Sequence, residues 1–319
     1  MEQTPQINAN NLKAEALRLG FSRCGLARAN AVDEAAATAF QQWIAQGQQA
    51  SMHYMQDNMD KRLDPRLLLP GAKTVMAFAL NYFPSQRLSD AQLQFAYYAY
   101  GRDYHDAVRQ RLRQIAATLP LLPGIPAEEQ VKICCDTVPM LDRYWAVQAG
   151  LGWIGKNTNL IIPHAGSYFV LGEIVCTLAA DAYDAPMPSH CGTCRLCLDA
   201  CPTGALCQPR TLDASRCLSY LTIENRGDLP AHAAQAMGNH IYGCDRCQQA
   251  CPHNRFAQPT SVEEFAPTPE FLAMTADDWR HLTREQYQRL FKGSAVKRAK
   301  FEGLVRNIQA ADTEQQHNQ

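Results

Sequence analysis

Apolar positions change their rhythm along this chain, and the changes mark its parts. Around residues 11–19, Leu12, Leu17 and Leu19 supply the apolar side of a helix, with Asn10 or Asn11 placed to cap its start and Gly20 where a helix ends. A strand-like FSRCGLA (21–27) follows. The runs 73–83 (KTVMAFALNYF), 131–135 (VKICC), 157–162 (NTNLII) and 167–177 (SYFVLGEIVCT) are short, apolar and β-branched or aromatic, as buried strands are. Helical stretches at about 103–118 and 140–149 separate them. Together these predict an α/β domain over residues 1–180.

The segment DAYDAPMPSH (181–190) has no periodicity and two prolines, so it reads as a linker. A cysteine-rich module fills the stretch 181–260, and over 261–319 the pattern turns helical, polar and basic. Between residues 279 and 306, Arg280, Arg284, Arg289, Lys292, Lys297, Arg298, Lys300 and Arg306 face only two acids, Glu285 and Glu302.

Composition narrows the function classes. The 319 residues carry 30 basic and 31 acidic side chains for a net charge of −1, so attraction to a polyanion would need a local surplus. No apolar run reaches the roughly 18 residues of a membrane span. The opening MEQTPQINANNLKAEALRLG has no basic leader with an apolar run, no twin arginine and no small-residue cleavage site, so a cytoplasmic protein is expected. Of 13 cysteines, nine crowd into 191–251 in short CxxC steps. In a chain without an export signal that pattern points to metal ligation rather than disulfides.

The first cysteine run is Cys191, Cys194, Cys197 and Cys201 followed by Pro202, the C-x₂-C-x₂-C-x₃-C-P spacing of two-cluster ferredoxins. In that pattern the fourth cysteine serves the other cluster. A second run, Cys244, Cys247 and Cys251 before Pro252, has Cys217 as an isolated fourth. Crossover then assigns Cys191, Cys194, Cys197 and Cys251 to one 4Fe–4S cluster, and Cys201, Cys217, Cys244 and Cys247 to another. Cys₄ zinc is the competing reading. Cys24, Cys134, Cys135, Cys176 and Cys207 lie outside the scheme and read as small buried hydrophobes.

Two further motifs are decoys. GLGWIG (150–155) satisfies G-x-G-x-x-G, but a helix-like segment precedes it and a strand-like one follows, the reverse of a dinucleotide site. Asp103-x-His105 resembles the start of a cobalamin D-x-H-x-x-G motif, yet Val108 stands where that motif has glycine.

The segments KRLDPRLLLPGAKTV (61–75), YAYGRDYH (98–105), CDTVPMLDR (135–143), GWIGKNTNLI (152–161), GSYFVLGEI (166–174), CGTCRLCLDACPTGAL (191–206), IYGCDRCQQACPHN (241–254) and LFKGSAVKRAK (290–300) together resemble the epoxyqueuosine reductases. The resemblance implies a cobalamin-binding α/β domain, a ferredoxin-like domain with two 4Fe–4S clusters and a short helical C-terminal region. It implies reduction of epoxyqueuosine to queuosine at the tRNA wobble position, with the clusters feeding base-off cobalamin. An external donor such as a flavodoxin or ferredoxin system and a monomeric state are expected with it. Asp136 falls on the family's proton donor, and burial against the corrin is expected to raise its pKa. Arg62, Leu160, Leu171, Ser219 and Asp245 fall on corrin positions, and Lys297, Arg298 and Lys300 are expected to meet tRNA. One departure is Tyr97, where relatives usually have arginine; another is that the chain ends soon after GSAVKRAK, where many relatives continue into helical repeats. A reductive dehalogenase-like enzyme and a non-catalytic electron carrier are the alternative readings.

Overall fold

The computed structural model describes residues 5–317, with side chains through residue 312. Its main sheet runs Arg23–Arg28, Thr74–Asn81, Phe169–Cys176, Val131–Cys134 in spatial order, every neighbouring pair antiparallel. Thr74–Asn81 is buried along nearly its whole length, which explains its unbroken apolar run: helices cover both faces. Met76, Phe78 and Leu80 face Val108, Leu112 and Ile115 of helix Tyr104–Ala116 and Leu12 and Ala16 of helix Ala9–Arg18. The alternate residues Val75, Ala77 and Ala79 face Trp145 and Ala146 of helix Asp142–Gln148. Pleating sends successive side chains to opposite faces, so one strand builds two cores.

Helix Ala9–Arg18 starts earlier than the cap residues Asn10 or Asn11 allow, because Asn8 caps it by accepting from the Asn11 N–H at 2.9 Å. The expected strand 157–162 contracts to Leu160–Ile161, which pairs with Trp153–Ile154 in a tight hairpin. Gly150 takes φ +71 as it leaves helix Asp142–Gln148, and a Cβ on Gly152 would lie 2.0 Å from the Ile161 carbonyl oxygen. Those glycines therefore serve a helix end and a close backbone approach. Helix Glu34–Ala45, with no fully buried residue, leaves little trace in the pattern. The linker is strapped down: Asp181 accepts from the Ala9 N–H and Asp184 from the Leu26 N–H, each at 2.9 Å.

The rest of the chain packs onto this unit. Gln94–Phe95 pairs in parallel with His240–Tyr242, and Phe95 rests on Phe271, Trp279 and Phe291 from the C-terminal helices. The fully buried Asn307 of helix Lys300–His317 donates to the carbonyls of Thr222 and Ile241 at 2.8 Å each. One apolar core consequently runs from Ile7 to Ala311. Among the described residues no helix is long and apolar enough to cross a membrane.

Candidate active site and cluster ligands

Folding brings the cysteines together in the two crossed sets. Cys191, Cys194, Cys197 and Cys251 line one cavity of about 90 Å³ with His190, Lys156 and His253. Cys247 lies within electrostatic reach of Cys244, Cys217 and Cys201. Lys156, from the decoy GLGWIGKN, donates its ammonium to the Gly192 and Cys194 carbonyls at 2.7 and 2.8 Å. That lysine fastens the first cysteine loop. Of the remaining cysteines, Cys134, Cys135 and Cys176 are buried as expected, Cys24 is half-buried, and Cys207 is exposed.

Asp136 leaves strand Val131–Cys134 in the left-handed region at φ 57, tolerable for a short polar side chain. Its side chain is 60% exposed. The carboxylate does not cap its own turn: Oδ2 accepts from the Tyr104 hydroxyl at 2.9 Å and meets His105 Nε2 at 3.2 Å. His105 Nδ1 in turn lies 2.6 Å from Asp103 Oδ1. Asp103 caps helix Tyr104–Ala116, and this places Tyr104 and His105 side by side in its first turn, rings stacked at 4.1 Å. The Asp136 carboxylate thus also faces the positive end of that helix.

The hydrogen bond from His105 holds Asp136 below the usual carboxylate range, outweighing desolvation. Burial alone would push His105 down, but its hydrogen bonds to Asp103 and Asp136 leave it raised to about 9. His105 thus lies between two carboxylates, whose hydrogen bonds favour its charged form. Asp103 and His105 entered the sequence reading only as a failed D-x-H motif; their place in the YAYGRDYH segment was the usable signal.

Arg62 is buried and pairs with neither Asp60 nor Asp64; Asp64 is taken by Arg66 at 2.7 Å. Its guanidinium donates to the Met140 and Tyr54 carbonyls at 3.1 and 3.2 Å, and its buried Nε has no partner. Leu160 and Leu171 both belong to the core on the Trp145 side of the sheet. Ser219 and Asp245 lie beside ligands of the second cysteine set. Asp245 accepts from the Tyr97 backbone N–H at 2.7 Å, so that contact is indifferent to the side-chain departure at Tyr97. Behind the Asp136 loop, Glu173 is fully buried with both oxygens lacking hydrogen-bond partners. Burial and the neighbouring Asp142 hold its carboxyl far up; no pattern in the sequence pointed to this buried carboxyl.

The basic C-terminal surplus is smaller in space than in sequence. Arg280 pairs with Asp312, Arg284 with Glu302, Arg289 with Glu270 and Arg298 with Glu224, while Arg306 donates to the carbonyls of Leu221 and Asn225. Partners from distant segments neutralise what a window count left positive. Lys297 and Lys300 remain exposed. The turn Ala295–Ala299 is a short 3₁₀ helix whose Val296 N–H is already bonded by the Ser294 hydroxyl.

Residues 190–254 match a 4Fe-4S double cluster binding domain, and residues 62–137 match the family described as Epoxyqueuosine reductase QueG, DUF1730. An epoxyqueuosine reductase of Cellulophaga algicola is 41% identical over 96% of this chain and 98% of its own length. That of Leadbetterella byssophila is 42% identical over 94% and 97%. A crystal structure of epoxyqueuosine reductase with an epoxyqueuosine-modified tRNA-Tyr stem loop superposes with a TM-score of 0.86 at 31% identity, covering 96% of this chain and 80% of that one. A Bacillus subtilis epoxyqueuosine reductase whose aspartate-bearing catalytic loop is swung out of the active site gives 0.84 at 30% identity, covering 96% of this chain and 81% of that one.

Proposed function

The chain belongs to the epoxyqueuosine reductase family, and on that premise we propose how its residues divide the work of turning epoxyqueuosine into queuosine at the tRNA wobble position. It is an oxidoreductase acting on tRNA, with two 4Fe–4S clusters. The observation that carries the division of labour is the hydrogen-bonded line Asp103, His105, Asp136. Residues 1–180 hold the catalytic loop and the cobalamin, 181–260 the clusters and 261–319 a basic helical flank. The enzyme works as a cytoplasmic monomer fed by an external flavodoxin or ferredoxin system.

The fit to cobalamin rests on donor chemistry. The partnerless Arg62 Nε is a buried donor suited to a peripheral amide carbonyl of the corrin, and leaving it unmet costs about 1–3 kcal/mol. Leu160 and Leu171 offer apolar contact, and Ser219 and Asp245 stand on the cluster side. When bound, cobalamin would supply a two-electron nucleophilic metal centre. Turning an epoxide into an alkene consumes two electrons and two protons and releases water. Asp136 carries one proton at a time to the departing oxygen; His105 refills it through Nε2 and is itself recharged by a proton from solvent before the second transfer, and Asp103 holds the imidazole in line through Nδ1.

Conversion of epoxyqueuosine tRNA by purified, cobalamin-loaded protein tests this reading; no conversion with intact clusters and bound cobalamin would overturn it. The proton line has its own signature. His105 is charged below its raised value, so turnover should fall as pH climbs through about 9. His105→Gln should be slower and lack that limb, whereas an unaltered pH profile would remove His105 from the relay.

Lys297, Arg298 and Lys300 form the tRNA footprint, with Arg298 contributing least because Glu224 holds it at 2.7 Å. Replacing all three by alanine should weaken tRNA binding and flatten its dependence on salt, by about 0.7 per lost contact on logarithmic axes for single-stranded RNA. Equal affinity and slope in a folded triple variant would place the RNA elsewhere.

A further inference from the structure

The two cysteine loops differ in what surrounds them. In the second, Gly243, Asp245 and Gln248 are buried; in the first, Gly192, Thr193, Arg195, Leu196 and Asp199 are all exposed. Leu196, between the ligand positions Cys194 and Cys197, is 53% exposed. A singly exposed apolar side chain is ordinary on a protein surface; what sets Leu196 apart is its place on a cluster loop with basic neighbours.

The rim here is basic. Lys156 reaches the loop carbonyls of Gly192 and Cys194. Arg210 sits beside it, its backbone N–H donating to the Lys156 carbonyl at 3.0 Å and its Nε to the Ile154 carbonyl at 3.1 Å. Arg195 stands on the loop, and Arg255 follows Cys251 on the turn Pro252–Phe256. Asp199, on the same loop, lies 3.7 Å from Arg195 in an exposed pair worth little, and Asp213 caps a turn near Arg210. In a chain of net charge −1 this is a local surplus of the sign that steers an anionic partner.

We propose that the face around Leu196 is where a small acidic redox protein, carrying a reduced flavin or iron–sulfur centre, docks to deliver electrons to the cluster of Cys191, Cys194, Cys197 and Cys251. The proposal rests on the reading that the clusters pass electrons inward. In the step itself one electron leaves the donor's reduced centre, which is oxidised by one, and enters the oxidised cluster, which is reduced by one; no bond or proton moves. The second cluster, its loop packed among Asp245, Gln248 and the Tyr97 backbone, receives the electron on the interior side. Electron-transfer encounters are small and transient, so a few charges and one apolar contact suffice.

Anaerobic stopped-flow mixing of the two-cluster protein with a reduced acidic flavodoxin, and separately with a reduced acidic 2Fe–2S ferredoxin, tests it through bleaching of the cluster absorbance. Arg195→Glu, Leu196→Glu and Arg255→Glu, each checked for full iron content, should slow reduction at least tenfold at low salt and flatten its salt dependence. Arg195→Lys should stay near wild type, and reduction by dithionite should be the same in all. Variants that accept electrons from both proteins at the wild-type rate and salt slope overturn the docking face. A wild type that both proteins leave oxidised while dithionite reduces it overturns it too. Failure of dithionite-reduced, cobalamin-loaded protein to convert substrate would instead sink the underlying reading.

Discussion

Asp136→Asn should slow epoxide reduction by on the order of 10²–10⁴, the usual worth of a general acid, while tRNA and cobalamin binding stay near wild type. The amide keeps the shape and can still accept from Tyr104, as the carboxylate does at 2.9 Å. It cannot receive a proton from His105 and hand it on. The residue is 60% exposed and caps nothing, so its replacement should not lower the melting temperature appreciably. Single-turnover conversion separates the outcomes: a rate near wild type would make Asp136 a turn residue chosen only for its φ of 57.

Cys191→Ala and Cys251→Ala should each cut iron from about eight to about four per chain and leave the same surviving cluster, whereas Cys217→Ala should leave the other one. Although 60 residues of sequence part Cys191 from Cys251, both line one cavity. Anaerobic iron and sulfide analysis with electron paramagnetic resonance of the reduced protein identifies the survivor. If Cys251→Ala retained the same cluster as Cys191→Ala loses, the crossed assignment would fail. On the inward electron route proposed above, each variant should also lose nearly all turnover with a protein donor.

Much of this was legible in the sequence, for identifiable reasons. Cluster-binding cysteines follow fixed spacings, so the crossed sets could be proposed from the sequence, and Cys191 and Cys251 do line one cavity. Strand Thr74–Asn81 showed itself because both its faces are buried. The antiparallel order of the sheet did not show, since strand direction depends on how connections close rather than on side-chain pattern. Helix Glu34–Ala45, without a buried face, carried too weak a period. The contact between His105 and Asp136, an |i−j| of 31, was invisible because no local pattern joins the two segments. The charge count over 279–306 overstated the surplus for the same reason: Glu224, Glu270 and Asp312 arrive from outside that window.

The parallel pairing of Gln94–Phe95 with His240–Tyr242 bears on how the chain is born. A ribosome adds roughly 5–20 residues per second, so the earlier strand waits on the order of ten seconds for its partner. Through that interval Phe95 also lacks Phe271, Trp279 and Phe291, and its edge is open to other nascent chains. The later strand ends just before Cys244, so pairing and ligand capture fall together in time. Iron shortage during synthesis should therefore show as aggregation of newly made protein, beyond any loss of activity in the finished enzyme.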